Sequence, residues 1–224
     1  GYPVLIVTLL QAFAASAVLI VVPLLFRADG RRSMGRVRGS VIGYFTLVGV
    51  AFMFVEMAVI QRFTLFLQHP VHAVAATLGS ILVFAGFGSR YAQHLAQRLP
   101  PATIIRRAAL CACVLLLLYR AALPALFGAC LGFTLAAKLV ICMLVVAPPA
   151  LLMGMPFPMG LLRLVRSHSA AVPWAWCING CASVVSAVAG TLAAVHWGFG
   201  AVLVIAALAY GVAALIGGRS QEPW

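Results

Sequence analysis

The sequence predicts an all-α integral membrane protein, a polytopic bundle of about seven transmembrane helices. Three observations carry that expectation. The 224 residues are 65% hydrophobic and 8% charged, where a soluble domain has roughly 25% charged residues. The mean hydropathy is +1.14. The apolar runs are close to the ~20 residues a bilayer demands, and they lack the period-2 alternation of barrel strands.

Taken in order, the first helix is expected at about 2–26, interrupted late by Pro23. The polar loop RADGRRSMGRVRG follows. The second helix, about 41–67, is long enough to tilt or project. QHPV turns the chain into the third, about 72–89. SRYAQHLAQRLPPA is the next loop, before a fourth helix at about 102–119. RAALP leads into the fifth, about 125–147, which Pro148-Pro149 is expected to end or break. The stretch ALLMGMPFPMGLLRLVRSHS is apolar but too rich in Gly and Pro for a regular helix. The sixth helix is expected at about 174–195, HWGFG turns the chain, and the seventh runs at about 200–217. GRSQEPW is a polar tail. All of this reads as one transmembrane helical domain over 1–224. The chain opens GYPVLIV, without an initiator Met, a basic n-region or a small-residue cleavage site, so it is expected to be a fragment of a longer protein rather than to start on a signal peptide.

The net charge of +12 and pI of about 10.6 do not call for nucleic acid. The arginines cluster in short loops between apolar runs, which is the positive-inside pattern. Twelve fall on the side of the Arg31-Arg32 loop and two, Arg62 and Arg120, on the other. The expected orientation is N-terminus out and C-terminus in, in the cell (inner) membrane. The six cysteines lie in or beside apolar runs with no CxxC, so packing is their expected role.

Small residues mark expected contact faces: Ala182, Ser186, Gly190 and Ala194 along the sixth helix, and the GxxxG pairs Gly39/Gly43 and Gly128/Gly132. Trp174 and Trp176 read as interface anchors.

Glu56 is the most informative residue for function. It lies inside an apolar run, whereas Asp29 and Glu222 lie in polar segments. An ionisable group in hydrocarbon is expensive and normally faces a bundle interior or cavity. It reads as an ion pair, relay or substrate contact, or as a polar group that fixes helix packing. Lys138, expected mid-helix, is the natural partner; at 1.5 Å per residue Glu56 is ~10 Å and Lys138 ~16–20 Å from the outer edge. Lys138 could equally snorkel. Gln61 and Arg62 follow on the same helix; Arg62 lies about 120° round from Glu56 and points elsewhere. Asn179 is expected to hydrogen-bond another helix or the GMPFPMG bend, whose Met155, Pro156 and Pro158 are expected to line a cytoplasmic cavity or form a re-entrant turn. His69, His72 and His196 gather at the outer turns as a minor metal alternative to an interfacial role. No metal or catalytic residue is assigned. GxGxxG before a helix, Walker A, GxSxG, HExxH and paired carboxylates are all missing from the chain.

Four segments, in order, resemble the membrane part of large bacterial multi-span spermidine synthase-like proteins: GYFTLVGVAFMFVEMAVIQRFTLFLQHPVHAV, LVFAGFGSR, ALLMGMPFPMGLLRL and PWAWCINGCASVVSAVAG. The resemblance covers about residues 41–195. Glu56, Gln61, Arg62, His69, Pro70, Met155, Pro156, Pro158, Trp174, Trp176 and Asn179 match the family pattern; Gln68 stands where glycine is expected and His72 where an aromatic is. The resemblance implies an upstream Rossmann-type aminopropyltransferase or methyltransferase-like domain, with any S-adenosylmethionine-type cofactor and catalytic acids residing there. It implies for this chain a module that anchors, and moves a small cationic or amphipathic molecule. A stand-alone transporter or channel bundle and a ligand-free structural anchor are the alternatives. The partners expected are the bilayer, such a ligand and the upstream domain, with no nucleic acid.

Overall fold

The computed structural model describes residues 2–16, 18, 22 and 39–219. The expected loop at 27–38, most of 17–26 and the tail at 220–224 lie outside the described residues. Every regular element described is helical. They are α1 (Tyr2–Ser16), α2 (Gly39–Leu67), α3 (Pro70–Leu95), α4 (Pro101–Ala129), α5 (Leu135–Met153), α6 (Pro156–His168), a 3₁₀ turn (Ser169–Ala171) and α7 (Val172–Gly217).

Four helical stretches are long and apolar enough to cross a membrane: Gly39–Leu67, Pro70–Leu95, Pro101–Ala129 and Leu135–Gly217. The last is an 83-residue run that joins α5, α6 and α7. Large apolar side chains point outward along these helices, among them Leu82 (74% exposed), Leu144 (65%) and Leu118 (60%). Water would not tolerate such a surface on a monomer, and lipid would.

Prolines explain most differences from the expected boundaries. Pro124 lies inside α4, so that helix continues to Ala129 instead of breaking at 120–124. The break comes at 130–134, and Thr134 caps α5 by accepting from the Ala137 amide at 3.4 Å. Pro148 and Pro149 also lie inside a helix, α5. Pro149 has no N–H to give to the Val145 carbonyl, and the Tyr119 hydroxyl donates to that carbonyl instead, at 2.9 Å. The GMPFPMG stretch is a correction of the same kind. Only Gly154 and Met155 interrupt the helix, and Pro156 opens α6 at its first position. First-turn N–H groups have no intrahelical acceptor, so prolines there sacrifice nothing.

α2 is the central helix. Its largest contact is with α7, whose stretch from Asn179 to Gly190 runs parallel to it, Asn179 meeting Phe45 and Gly190 meeting Phe54. A Cβ on Gly49 would lie 2.9 Å from Asn179 Nδ2, and one on Gly190 would lie 3.2 Å from Phe54 Cδ1. Gly190 of the small-residue stripe therefore faces the bundle. The Gly128/Gly132 pair is different. A Cβ on either residue would meet nothing within 4 Å, and the helix ends at Ala129, so that motif makes no close contact here.

α7 is not straight. Gly198 has φ 78 and ψ 164, a conformation open to glycine and strained for other residues. Asn179 bonds to Phe45, while Gly217 packs on the neighbouring Tyr44. A straight helix would hold residues 179 and 217 about 57 Å apart at 1.5 Å per residue. The chain reverses at Gly198, and 199–217 returns to the end where α7 began.

α3 and α5 meet backbone to backbone. A Cβ on Gly88 would collide with the Leu151 carbonyl, and one on Gly154 with that of Ala85. Only glycine fits at either position.

Candidate functional site

α2, α3, α7 and the α5–α6 junction surround a groove of about 550 Å³. Its α2 wall is Gly49, Phe52 and Met53; its α7 wall is Trp176, Asn179 and Ser183. Gly154, Phe157 and Pro158 supply the junction wall, and Ser89 comes from α3. The lining is mostly apolar, with three small polar side chains, Ser89 from α3 and Asn179 and Ser183 from α7.

Each wall follows from local structure. Asn179 Nδ2 donates to the Phe45 carbonyl at 3.1 Å, tying α7 to α2 at the groove. Gly49 is what lets the two backbones come this close. The fully buried Tyr44 donates its hydroxyl to the Pro156 carbonyl at 2.7 Å, fixing the start of α6. Phe157 meets Trp176 edge-on, with ring centroids 4.7 Å apart. Asn179, Trp176 and Pro158 thus come together, while Met155 and Pro156 are buried behind the wall. Trp174 is 4% exposed, so it belongs to the core rather than anchoring at an interface; Trp176 is 58% exposed.

Glu56 is half-buried on α2. Residues 49, 52, 53 and 56 follow the i, i+3, i+4, i+7 pattern of one helix face. Glu56 therefore stands one turn beyond the groove, on the face that lines it. No other acid occurs among the described residues.

Lys138 lies elsewhere. The helix boundary moves it from mid-helix to the first turn of α5, where its ammonium sits 5.3 Å from the centre of the Phe66 ring. Phe66 is about 15 Å further along α2 than Glu56, at 1.5 Å per residue. Among the described residues no ion pair joins Glu56 to Lys138. Arg62 packs over Phe199, 5.5 Å from the ring centre. The Gln61 Oε1 atom is buried without a hydrogen-bond partner.

The three histidines do not assemble. His69 and His72 meet edge-on with ring centroids 5.4 Å apart, whereas the His196 ring lies 3.3 Å from the Leu192 carbonyl on its own helix. Among the described residues no three His, Cys, Asp or Glu side chains gather as a metal site.

The arginines divide by end. Arg163 of α6 donates to the Gly217 carbonyl at 2.8 Å and to the Arg219 carbonyl at 2.6 Å, closing the end of α7 with positive charge. Arg106 lies beside Gly218. Arg90, Arg98, Arg107 and Arg166 belong to helix ends at this same Arg-rich pole, while Arg62, Arg120 and Lys138 belong to the opposite one.

Sequence reading missed Gly49, Ser89 and Ser183. The signal was available for two of them, since Gly49 shares a helical face with Glu56, and Ser183 lies one turn beyond Asn179. Ser89 needed the α3–α5 packing to be known. Compared with known proteins, the chain matches no family model, no curated protein and no solved structure.

Proposed function

We propose that this chain is the membrane-embedded module of a spermidine synthase-like protein, and that its groove takes an amphipathic molecule. The carrying observation is the groove itself: about 550 Å³, apolar along most of its wall, with Ser89, Asn179 and Ser183 as its polar points. That lining suits an alkyl chain with a polar head better than a bare polycation, which would find only Glu56, one turn away. A small cationic ligand is the second reading, favoured by the position of Glu56 on the groove face. In the parent protein, an S-adenosylmethionine-type cofactor would sit in the upstream Rossmann-type domain.

Seven crossings, N-terminus out and C-terminus in, in the inner membrane, belong to this proposal. Its support is the reversal at Gly198, which splits α7 into two arms, together with α1 to α5 and the arginines at one pole. Positive charge favours the cytoplasmic side.

The test uses Ser183→Cys in a cysteine-free background, in proteoliposomes. Laurate or dodecylamine should protect the thiol from N-ethylmaleimide, whereas an exposed Ser167→Cys control should be unaffected. Protection by spermidine alone would favour the cationic reading. Protection by none of the three leaves a structural anchor.

A further inference from the structure

A second cavity, of about 460 Å³, opens at the Arg-rich pole between the end of α3 and the face of α6. Gln93, Gln97 and Arg166 form its polar side; Leu161, Leu162 and Val165 form its apolar side. Pro158 and Leu161 line this cavity and the groove alike. The two spaces are neighbours across one turn of α6. Along α6, residues 158, 161, 162, 165 and 166 recur at i, i+3, i+4, i+7 and i+8, so a single stripe of the helix borders both.

We infer that these joined spaces form a binding site for an anionic phospholipid, with its phosphate at Arg166, Gln93 and Gln97 and one acyl chain passing over Pro158 and Leu161 into the groove. This rests on the groove reading above and names the ligand for it. Chemistry assigns each part. A guanidinium and two side-chain amides supply N–H donors suited to phosphate oxygens and offer no carboxylate to repel them. The whole described pole is basic, with no acid among its described residues. Neighbouring apolar walls suit a chain and not an inorganic ion. α6 is a short amphipathic helix that buries Met159, Gly160 and Leu164 and leaves Val165, Arg166 and Ser167 exposed, the arrangement that brings a basic side chain to headgroup level.

The experiment measures lipid retained by the full chain after extraction from membranes of equal phosphatidylglycerol and phosphatidylcholine content, by native mass spectrometry. A second arm uses phosphatidylglycerol with a diazirine at the acyl terminus and maps the crosslinks. Phosphatidylglycerol should be retained about fivefold over phosphatidylcholine, the worth of one arginine against an anionic surface. Arg166→Gln should abolish that preference, and Arg107→Gln, at the same pole but outside the cavity, should leave it intact. Crosslinks should fall on Phe157 and Trp176 and disappear in Leu161→Trp, which blocks the passage. Equal loss in both arginine variants would reduce the effect to diffuse charge and overturn the inference. Groove crosslinks that ignore headgroup and Arg166 would overturn it while leaving the groove reading standing. An absence of groove crosslinks with any lipid, together with unprotected Ser183→Cys, would overturn both. Preference shown only with free inorganic phosphate as competitor, and not in the lipid arm, would make it an ion site and likewise overturn it.

Discussion

Aromatic rings pack at both poles of the bundle, Phe157 on Trp176 and Phe45 at one and Phe66 on Phe127 at the other, but what joins those rings differs. At the Arg-rich pole, side chains bond directly to backbone carbonyls of other helices. Tyr44 reaches Pro156, Asn179 reaches Phe45, and Arg163 reaches Gly217 and Arg219. At the opposite pole, rings pack on rings and cations. Phe66 stacks on Phe127 at 4.6 Å, Phe63 meets Phe127 edge-on at 5.9 Å, and Lys138 and Arg62 lie over Phe66 and Phe199. Directional bonds fix helices at set heights and rotations, whereas ring contacts tolerate sliding. A groove needs fixed walls, and the groove lies at the hydrogen-bonded pole.

The comparison breaks first at the glycine seam beside the groove. Gly154→Leu forces a side chain into the Ala85 carbonyl, a backbone atom that cannot swing aside. The expected loss exceeds the ~1–3 kcal/mol of ordinary overpacking. Gly128→Leu, with open space around it, should change stability by less than ~0.5 kcal/mol. Melting both variants in detergent checks the pair. If Gly154→Leu melts with the parent, the seam is looser than the rigid-wall argument allows.

Tyr44→Phe tests a single bond of the ordered pole. It keeps the ring packed and removes the donor to the Pro156 carbonyl. The Pro156 carbonyl keeps its place as an intrahelical acceptor in α6, so the loss is the net worth of one further bond, ~0.5–1.5 kcal/mol in general and nearer ~0.6 between membrane helices. A loss of about 1 kcal/mol is expected, with faster alkylation of a groove thiol at position 183 as α6 loosens. Loss of stability without that change in alkylation would show that the bond supports the core and not the groove.

The opposite pole offers a gain. Gln68 ends α2 with φ 58, in the left-handed region. Its amide bonds the Thr64 carbonyl at 2.9 Å, so the turn itself is sound. Gln68→Gly removes the Cβ conflict and should stabilise by up to ~1 kcal/mol, the lower end of the left-handed penalty. An unchanged or lower melting temperature would mean that the side chain contributes more than its strain removes.

How much of this was legible in the sequence depends on the kind of signal. Apolar runs and charge gave the class of fold and the helices 41–67 and 200–217 nearly to the residue. Helix breaks were misread wherever proline was taken as a stop. Pro124, Pro148 and Pro149 continue helices because hydrocarbon gives the backbone nothing better to do and neighbours such as Tyr119 satisfy a freed carbonyl. Pro156 begins a helix because its first position needs no donor. Asn179 was expected to hydrogen-bond another helix, and it bonds the Phe45 carbonyl of α2. Of the Met155–Pro158 stretch, read as a cavity lining or a re-entrant turn, Pro158 lines the groove while Met155 and Pro156 are buried behind it. The pairing of Glu56 with Lys138 was not legible, because it depended on where α5 starts.

That pairing gives the smallest expected effect. A double-mutant cycle on Glu56→Gln and Lys138→Met measures coupling between the two charges. Two charges in contact deep in hydrocarbon would couple strongly, and removing one alone would strand the other. Here Lys138 stands over Phe66, about 15 Å along α2 from Glu56. Lys138→Met alone should lose the cation–π contact, about 0.5–1 kcal/mol. Glu56→Gln alone should act independently, because its nearest functional neighbours are the groove residues Phe52 and Met53 on its own face. The coupling should fall within about 0.5 kcal/mol of zero, the ordinary limit of additivity for separated sites. Coupling well above that would mean that the lysine leaves Phe66 and that α5 begins earlier. The ring-packed pole would then hold an ion pair, and the contrast between the two poles would fail at its best-defined contact.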